Sequence, residues 1–219
     1  MVLYVFLYIL LVFYLLWPRK EIPRIIHQLA PADKSKWNSG WNECQKTWKD
    51  YHPDFEYRMW TDEDIFEFIK NENLSFYENV FLKYPKNIQR WDAARPFILY
   101  KYGGIYADMD YECNQRFYEL LPGDKVSICQ SIHEVDEGYQ NALMASPKNH
   151  NFWKKLINDM ETVDKSDTQD MFYVQKTTGP ILISRCIKKN KDVINTLNSL
   201  EYSSGKYARH INNGVWGRE

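Results

Sequence analysis

The stretch Arg90–Glu112, RWDAARPFILYKYGGIYADMDYE, decides the fold. Residues Ile88, Trp91, Ala94, Ile98 and Tyr102 recur every three to four positions, the spacing of a helix with one buried face. Asp92 and Arg95 are three apart, so a helix sets them side by side. Gly103-Gly104 ends that helix, because glycine alone takes the left-handed cap conformation without steric cost. Ile105-Tyr106-Ala107 is short, apolar and β-prone, which suits a buried strand. The strand is expected to end in Asp108-Met109-Asp110, and in an extended backbone residues i and i+2 point the same way, so Asp108 and Asp110 present two carboxylates to one point, where a hard divalent cation binds. Pro96 removes an amide donor and crowds the preceding turn, so the helix is expected either to begin near Asp92 or Arg95 or to kink there.

An Asp-x-Asp pair alone usually marks a solvated turn. Here it follows an apolar strand that itself follows a helix and a glycine pair, which is where open α/β sheets bind ligands, at the carboxyl ends of their strands. The whole run resembles the DxD sugar-binding region of a retaining glycosyltransferase family. That family includes the α-1,6-mannosyltransferases that initiate outer N-glycan chains and the catalytic subunits of mannosyl-inositol-phosphorylceramide synthases, and it is distantly similar to glucosylating bacterial toxins. The resemblance extends, in the family's order, through Ile22-Pro23-Arg24-Ile25-Ile26-His27-Gln28, Tyr57-Arg58-Met59-Trp60-Thr61-Asp62-Glu63, Asn141-Ala142-Leu143-Met144-Ala145-Ser146 and Thr178-Gly179-Pro180.

It implies an α/β fold: one Rossmann-like nucleotide-sugar-binding domain of the GT-A type with a mixed central sheet. It also implies site roles. Asp110 is the direct ligand of Mn²⁺ or Mg²⁺, and Asp108 touches the ribose or reaches the metal through water. Asp92 and Arg95 hold the hydroxyls of the transferred sugar, with Tyr106 beside them, and His27 and Gln28 lie near the base or ribose. In the tail, His210 or Asn212 completes the metal shell and Trp216 covers the diphosphate. The donor is a nucleotide sugar, GDP-mannose or a UDP-hexose, and the acceptor a glycan, glycolipid or polysaccharide. Configuration is retained through a same-face displacement assisted by the leaving phosphate. Oxygen ligands without Cys or clustered His argue against zinc.

Working outward, 219 residues with 44% hydrophobic and 26% charged content suffice for one well-packed domain and are short for two. A net charge of -1 leaves no basic field to recruit nucleic acid. Residues 1–17 carry no charge, are nearly all aliphatic or aromatic, and are followed by Pro18-Arg19-Lys20. A spanning helix needs roughly 17 to 25 apolar residues, so this segment is expected to be a single-pass membrane anchor, with 18–219 the catalytic domain. No charged region precedes it and no small-x-small cleavage site follows, which disfavours a signal peptide. Arg19 and Lys20 favour a cytoplasmic domain by the positive-inside rule, whereas the resemblance implies the lumen of the secretory pathway, of Golgi or ER type.

Cys44, Cys113, Cys129 and Cys186 admit two disulfides in three pairings or buried thiols, and Asn73-Leu74-Ser75 is the one glycosylation sequon. Strands are expected at Ile25–His27, Glu56–Trp60, Val126–Gln130 and Asn141–Ala145, and helices at Trp41–Tyr51, from a Thr61 cap through Phe68, and at Asn151–Met160. Helical pieces fill 71–86. His133-Glu134-Val135-Asp136-Glu137 reads as an acidic loop, either solvated or lining an acceptor site. Two other classes fit the motif less well: a metal-dependent phosphohydrolase with Asp108 as nucleophile, and a membrane-tethered carbohydrate-binding module.

Overall fold

The computed structural model describes residues 21–211. The expected anchor at 1–17 and the tail residues Asn212 and Trp216 lie outside them, and among the described residues no helix is long and apolar enough to cross a membrane.

Six strands form a mixed sheet in the order β2-β1-β3-β6-β5-β7: β1 (Ile25–Leu29), β2 (Glu56–Trp60), β3 (Gly104–Ala107), β5 (Val126–Gln130), β6 (Tyr139–Ser146) and β7 (Ile194–Leu197). β1 runs parallel to β2 and β3, β6 is antiparallel to both β3 and β5, and β7 is parallel to β5. A two-stranded ribbon stands apart, pairing β4 (Tyr111–Cys113) with β8 (Ala208–His210). The helices are α1 (Trp41–Tyr51), α2 (Asp62–Glu72), α3 (Leu74–Asn79), α4 (Asn87–Tyr102), α5 (Asn151–Thr162), α6 (Tyr173–Thr177), α7 (Pro180–Lys188) and α8 (Ser199–Tyr202).

The sheet separates two apolar layers because alternate strand residues face opposite sides. Tyr106, Met144 and Ile128 pack with the apolar faces of α4, α5 and α7, whereas Ile105, Ala145 and Cys129 pack with Trp48 of α1 and Phe117. Thr61 and Asp64 close a reciprocal capping box at the start of α2, as the acidic first turn implies. Pro180 occupies the first turn of α7, where its missing amide costs nothing. The sequon asparagine is committed elsewhere: the Asn73 side chain accepts from the Phe76 amide and caps α3. All four cysteines are buried free thiols.

Helix α4 departs from expectation twice. It starts at Asn87 and continues through Pro96, so it does not begin near Asp92 or Arg95. It is also buried on every side from Asp92 to Leu99, where a single buried face was expected. Both follow from its place between the sheet and the outer helices: tertiary packing outweighs one lost amide bond. Its start is fixed by Gln89, which accepts from the Lys86 amide at 3.3 Å and donates to Thr177 Oγ1 at 2.8 Å.

The glycine pair then turns the chain into the sheet. Gly103 has φ 65° and Gly104 φ 92°. A Cβ on Gly104 would lie 2.5 Å from the Ile25 carbonyl oxygen and 3.3 Å from His27 Nε2, so β3 sits flush against β1 only without a side chain. Replacing Gly104 with alanine combines strain with a backbone collision and is expected to cost at least about 2 kcal/mol. Gly138→Ala, also at positive φ but with nothing within 4 Å, carries the strain alone. Urea unfolding of both variants checks this: equal midpoints would contradict the packing account of the glycine pair.

Candidate active site

β3 ends at Ala107, and the chain then turns where extended backbone was expected: the Tyr111 amide donates to the Asp108 carbonyl at 3.0 Å, closing a tight turn over Met109. The carboxylates of Asp108 and Asp110 are therefore brought to the same cavity by a turn and not by strand alternation. That cavity, of about 470 Å³, opens at the carboxyl ends of β1 and β3. One wall includes Arg95, Tyr106, Asp108 and Asp110; a second, from the loop at 131–138 and the start of β6, includes Ser131, Asp136, Gln140 and Asn141.

Arg95 organises the first wall. Its Nη1 lies 2.8 Å from Asp92 Oδ1 and its Nη2 2.9 Å from Asp108 Oδ1. Nε donates to the Tyr106 hydroxyl at 2.9 Å, and Nη1 also reaches the Asn141 carbonyl at 3.3 Å. The Tyr106 hydroxyl in turn donates to Asp108 Oδ1 at 2.7 Å. All the contacts described for the Asp108 side chain fall on Oδ1, and that side chain keeps 20% of its surface exposed. Asp110, 11% exposed at the side chain, meets His210 Nε2 at 3.1 Å through its own Oδ1. Both acids are thus paired, yet each presents an oxygen toward the cavity.

Asp92 and Arg95 do not share one environment. Asp92 is fully buried behind Arg95, accepting from Asn141 Nδ2 at 3.0 Å and from Thr178 Oγ1 at 3.3 Å, and it is absent from the cavity wall. It holds the guanidinium and the Thr178-Gly179-Pro180 turn; a direct contact with sugar has no support. Burial pushes the Asp92 carboxyl up to about 6, against the pull of Arg95. Burial likewise raises Asp108, opposed by Arg95 and reinforced by Asp110.

His27 and Gln28 are also displaced from their expected place at the donor. His27 is fully buried in the sheet: Trp60 Nε1 donates to its Nδ1 at 3.1 Å, so Nε2 carries the proton and donates to the Gly103 carbonyl at 2.9 Å. Burial lowers it to about 4, keeping it neutral. Gln28 accepts from the Tyr57 hydroxyl at 2.5 Å and donates to the Asp108 carbonyl at 3.1 Å, fixing the backbone of the turn. Neither lines the cavity.

His210 reaches Asp110 by strand pairing. In the ribbon Tyr111 sits opposite His210, the Ile211 amide donates to the Asp110 carbonyl at 2.9 Å, and the imidazole stacks on the Tyr111 ring. Of the second wall, sequence singles out only Asp136, within the acidic loop at 133–137 that reads as either solvated or lining an acceptor site. Asn141 belongs to a quoted motif without an assigned role, and Ser131 and Gln140 flank that loop with no periodicity to mark them.

Among the described residues no group of three or more His, Cys, Asp or Glu is disposed to hold a metal by itself. A Mg²⁺-type site does not require one: it takes one or two carboxylates and fills the remainder with water and substrate phosphate. Two carboxylates on one turn, each with an oxygen that has no other described partner, fit such an ion.

The comparisons agree with this geometry. The family described as "Glycosyltransferase sugar-binding region containing DXD motif" matches residues 38–127. Inositol phosphoceramide mannosyltransferase 1 of Schizosaccharomyces pombe is 32% identical over 208 residues, 90% of this chain and 63% of the relative. Mannosyl phosphorylinositol ceramide synthase SUR1 of Saccharomyces cerevisiae is 33% identical over 173 residues, 78% of this chain and 43% of the relative. The chain thus spans less than two thirds of these relatives. The ligand-free glycosyltransferase domain from the YGT toxin shares the fold, with TM-score 0.61 at 9% identity over 81% of this chain and 80% of that one.

The burial of Asp92 makes stability depend on pH in a definite direction. Its folded-state pKa of about 6 lies above the ordinary value of 3.8, so the stabilisation from its protonation is complete below 3.8 and disappears as pH rises through 6. Relative to Asp92→Asn, the wild type is expected to gain urea resistance between pH 7 and pH 4 in metal-free buffer. A constant difference across that range would remove the case for a strained, buried carboxylate.

Proposed function

We propose that this chain, which belongs to the glycosyltransferase family whose sugar-binding region contains the DXD motif, transfers a hexose from a nucleotide sugar to a membrane lipid bearing a sugar or polyol head group. The names of the relatives point to mannose as the sugar, with GDP-mannose the donor tried first, and to inositol phosphoceramide as the acceptor. The observation that carries the reading is the placement of Asp108 and Asp110 on one turn at the mouth of β3, open to a cavity and backed by Arg95.

In this arrangement Asp110 would hold Mn²⁺ or Mg²⁺ directly, with Asp108 alongside and His210 positioning Asp110. When bound, the ion supplies Lewis-acid stabilisation of the charge on the diphosphate leaving group. Arg95 presents its guanidinium edge to the hydroxyls of the transferred sugar, and Asp92 fixes that edge from behind. The bond between the anomeric carbon and the diphosphate oxygen breaks, a bond to the acceptor oxygen forms on the same face, and the acceptor's proton passes to the departing phosphate oxygen. Anchoring of 18–219 to a secretory-pathway membrane through 1–17 would keep the catalytic domain beside a lipid acceptor. The phosphohydrolase reading loses ground, because Arg95 and Tyr106 both engage Asp108 and restrain it as a nucleophile.

The full chain, incubated with Mn²⁺ and a panel of nucleotide sugars, is expected to release nucleoside diphosphate slowly from one preferred donor. Asp110→Asn should lower that rate by about 100-fold or more with the circular dichroism spectrum unchanged. Equal turnover in the variant, or inorganic phosphate release with no donor preference, would sink the assignment.

A further inference from the structure

The loop at 131–138 divides its acidic residues among three different environments. Glu134 faces solvent. Glu137 is tied to α7 by Arg185 at 2.8 Å and Lys188 at 2.8 Å, which hold its carboxyl down at about 2. Asp136 alone turns inward: it is 7% exposed and lines the cavity.

The inward turn is built by the surrounding residues. Ser184, fully buried on α7, donates to the Asp136 carbonyl at 2.6 Å and accepts from the Tyr139 amide at 3.0 Å, so both ends of the turn are pinned to one hydroxyl. Ser131 Oγ donates to Asp136 Oδ2 and accepts from the His133 amide at 3.0 Å. Glu137 and Gly138 take positive φ to complete the reversal. Contacts described for the Asp136 side chain involve Oδ2, and burial raises its carboxyl against the pull of Ser131, His133 and His210. A buried carboxylate with an uncommitted oxygen on a cavity wall is held at a free-energy cost unless a ligand supplies a donor.

The chemistry of that ligand follows from charge. A carboxylate repels a diphosphate, so the part of the substrate at Asp136 carries hydroxyls. The same loop places Ile132, 51% exposed, and Val135, 50% exposed, at the cavity mouth, so a hydroxyl-binding acid and two aliphatic side chains share one rim.

We propose that the loop at 131–138 is the acceptor subsite, in which Asp136 accepts a hydrogen bond from a hydroxyl of the acceptor's polyol head while Ile132 and Val135 meet the start of its apolar portion. This rests on the transferase reading above and adds the residues that recognise the second substrate. Asp136 orients the incoming hydroxyl group, and the proton still leaves with the diphosphate.

The test uses the full chain with Mn²⁺, the preferred donor, and inositol phosphoceramide dispersed in detergent, measuring transfer to lipid against hydrolysis of the donor by water. Asp136→Asn keeps the Ser131 bond and is expected to lower the ratio of transfer to hydrolysis at least tenfold. The exposed pair Ile132→Gln with Val135→Gln should lower that ratio at least threefold at limiting lipid, through acceptor KM. A ratio unchanged in both variants, or a rise in donor KM in Asp136→Asn, overturns this subsite and leaves the transferase reading standing. A wild type that hydrolyses a donor but gives no transfer to this lipid overturns the acceptor class, and one that hydrolyses no donor overturns both readings.

Discussion

A single guanidinium, buried between two carboxylates, is the contact on which the rest of the site depends. Arg95 is 4% exposed and touches Asp92, Asp108, Tyr106 and the Asn141 backbone at once. Removing such a group from water is expensive, and only the fixed fork of arginine, satisfied at several donors, offsets the cost. Each partner comes from a different element: Asp92 from α4 itself, Tyr106 from β3, Asn141 from β6, and Asp108 from the turn after β3. The ion pair therefore sets the position of the turn relative to the sheet. Loss of Arg95 would leave two buried acids facing each other, which is a structural loss before it is a functional one.

This explains which parts of the molecule could be read from the sequence. The strands at 56–60 and 126–130 and the helix at 41–51 have the expected bounds because local periodicity and caps decide them. The DxD carboxylates and the Asp92–Arg95 pair were legible because they lie within twenty residues of each other, on one helix and just past one strand, although the turn that joins the two acids was not. What could not be read was the placement of His27, Gln28 and Asp92 away from the cavity wall. His27 and Gln28 look like exposed polar ends of a strand, yet each meets a partner outside β1, Trp60 and Gly103 for one, Tyr57 and Asp108 for the other. Polar residues at a strand end are equally able to serve a ligand or a neighbouring backbone, and sequence spacing does not distinguish the two. The ribbon that brings His210 to Asp110 joins three-residue strands about a hundred positions apart, too short for any pattern and too distant for any local signal.

The cavity also divides along the chain. The wall that carries the DxD carboxylates comes from α4, β3 and the turn at 108–110, all inside the matched segment at 38–127. The second wall comes from the loop at 131–138 and the start of β6, beyond that segment. β6 is antiparallel to β3 and extends past its end, since Ala107 is opposite Leu143 and the Asp108 amide donates to the Ala142 carbonyl at 2.9 Å. That reversal brings Gln140 and Asn141 to the same cavity as the DxD carboxylates. A purely parallel sheet would have sent the next strand away from the mouth, leaving the cavity without a second side.

The charge of the cavity bears on the order in which its occupants arrive. Asp108, Asp110 and Asp136 line the cavity, with Asp92 buried behind them, and the only guanidinium on its described wall is that of Arg95. A diphosphate entering this field alone meets repulsion in a setting with little water to screen it. The same diphosphate paired with a divalent cation carries little net charge, and its cation meets two carboxylate oxygens that have no other described partner. Under the transferase reading, a cation arriving with the diphosphate would offset the charge of Asp110, which adds to the burial that raises Asp108. Nucleotide without metal should therefore bind poorly to this chain, and metal without nucleotide only weakly, because two carboxylates on one turn complete less than half of a six-oxygen shell.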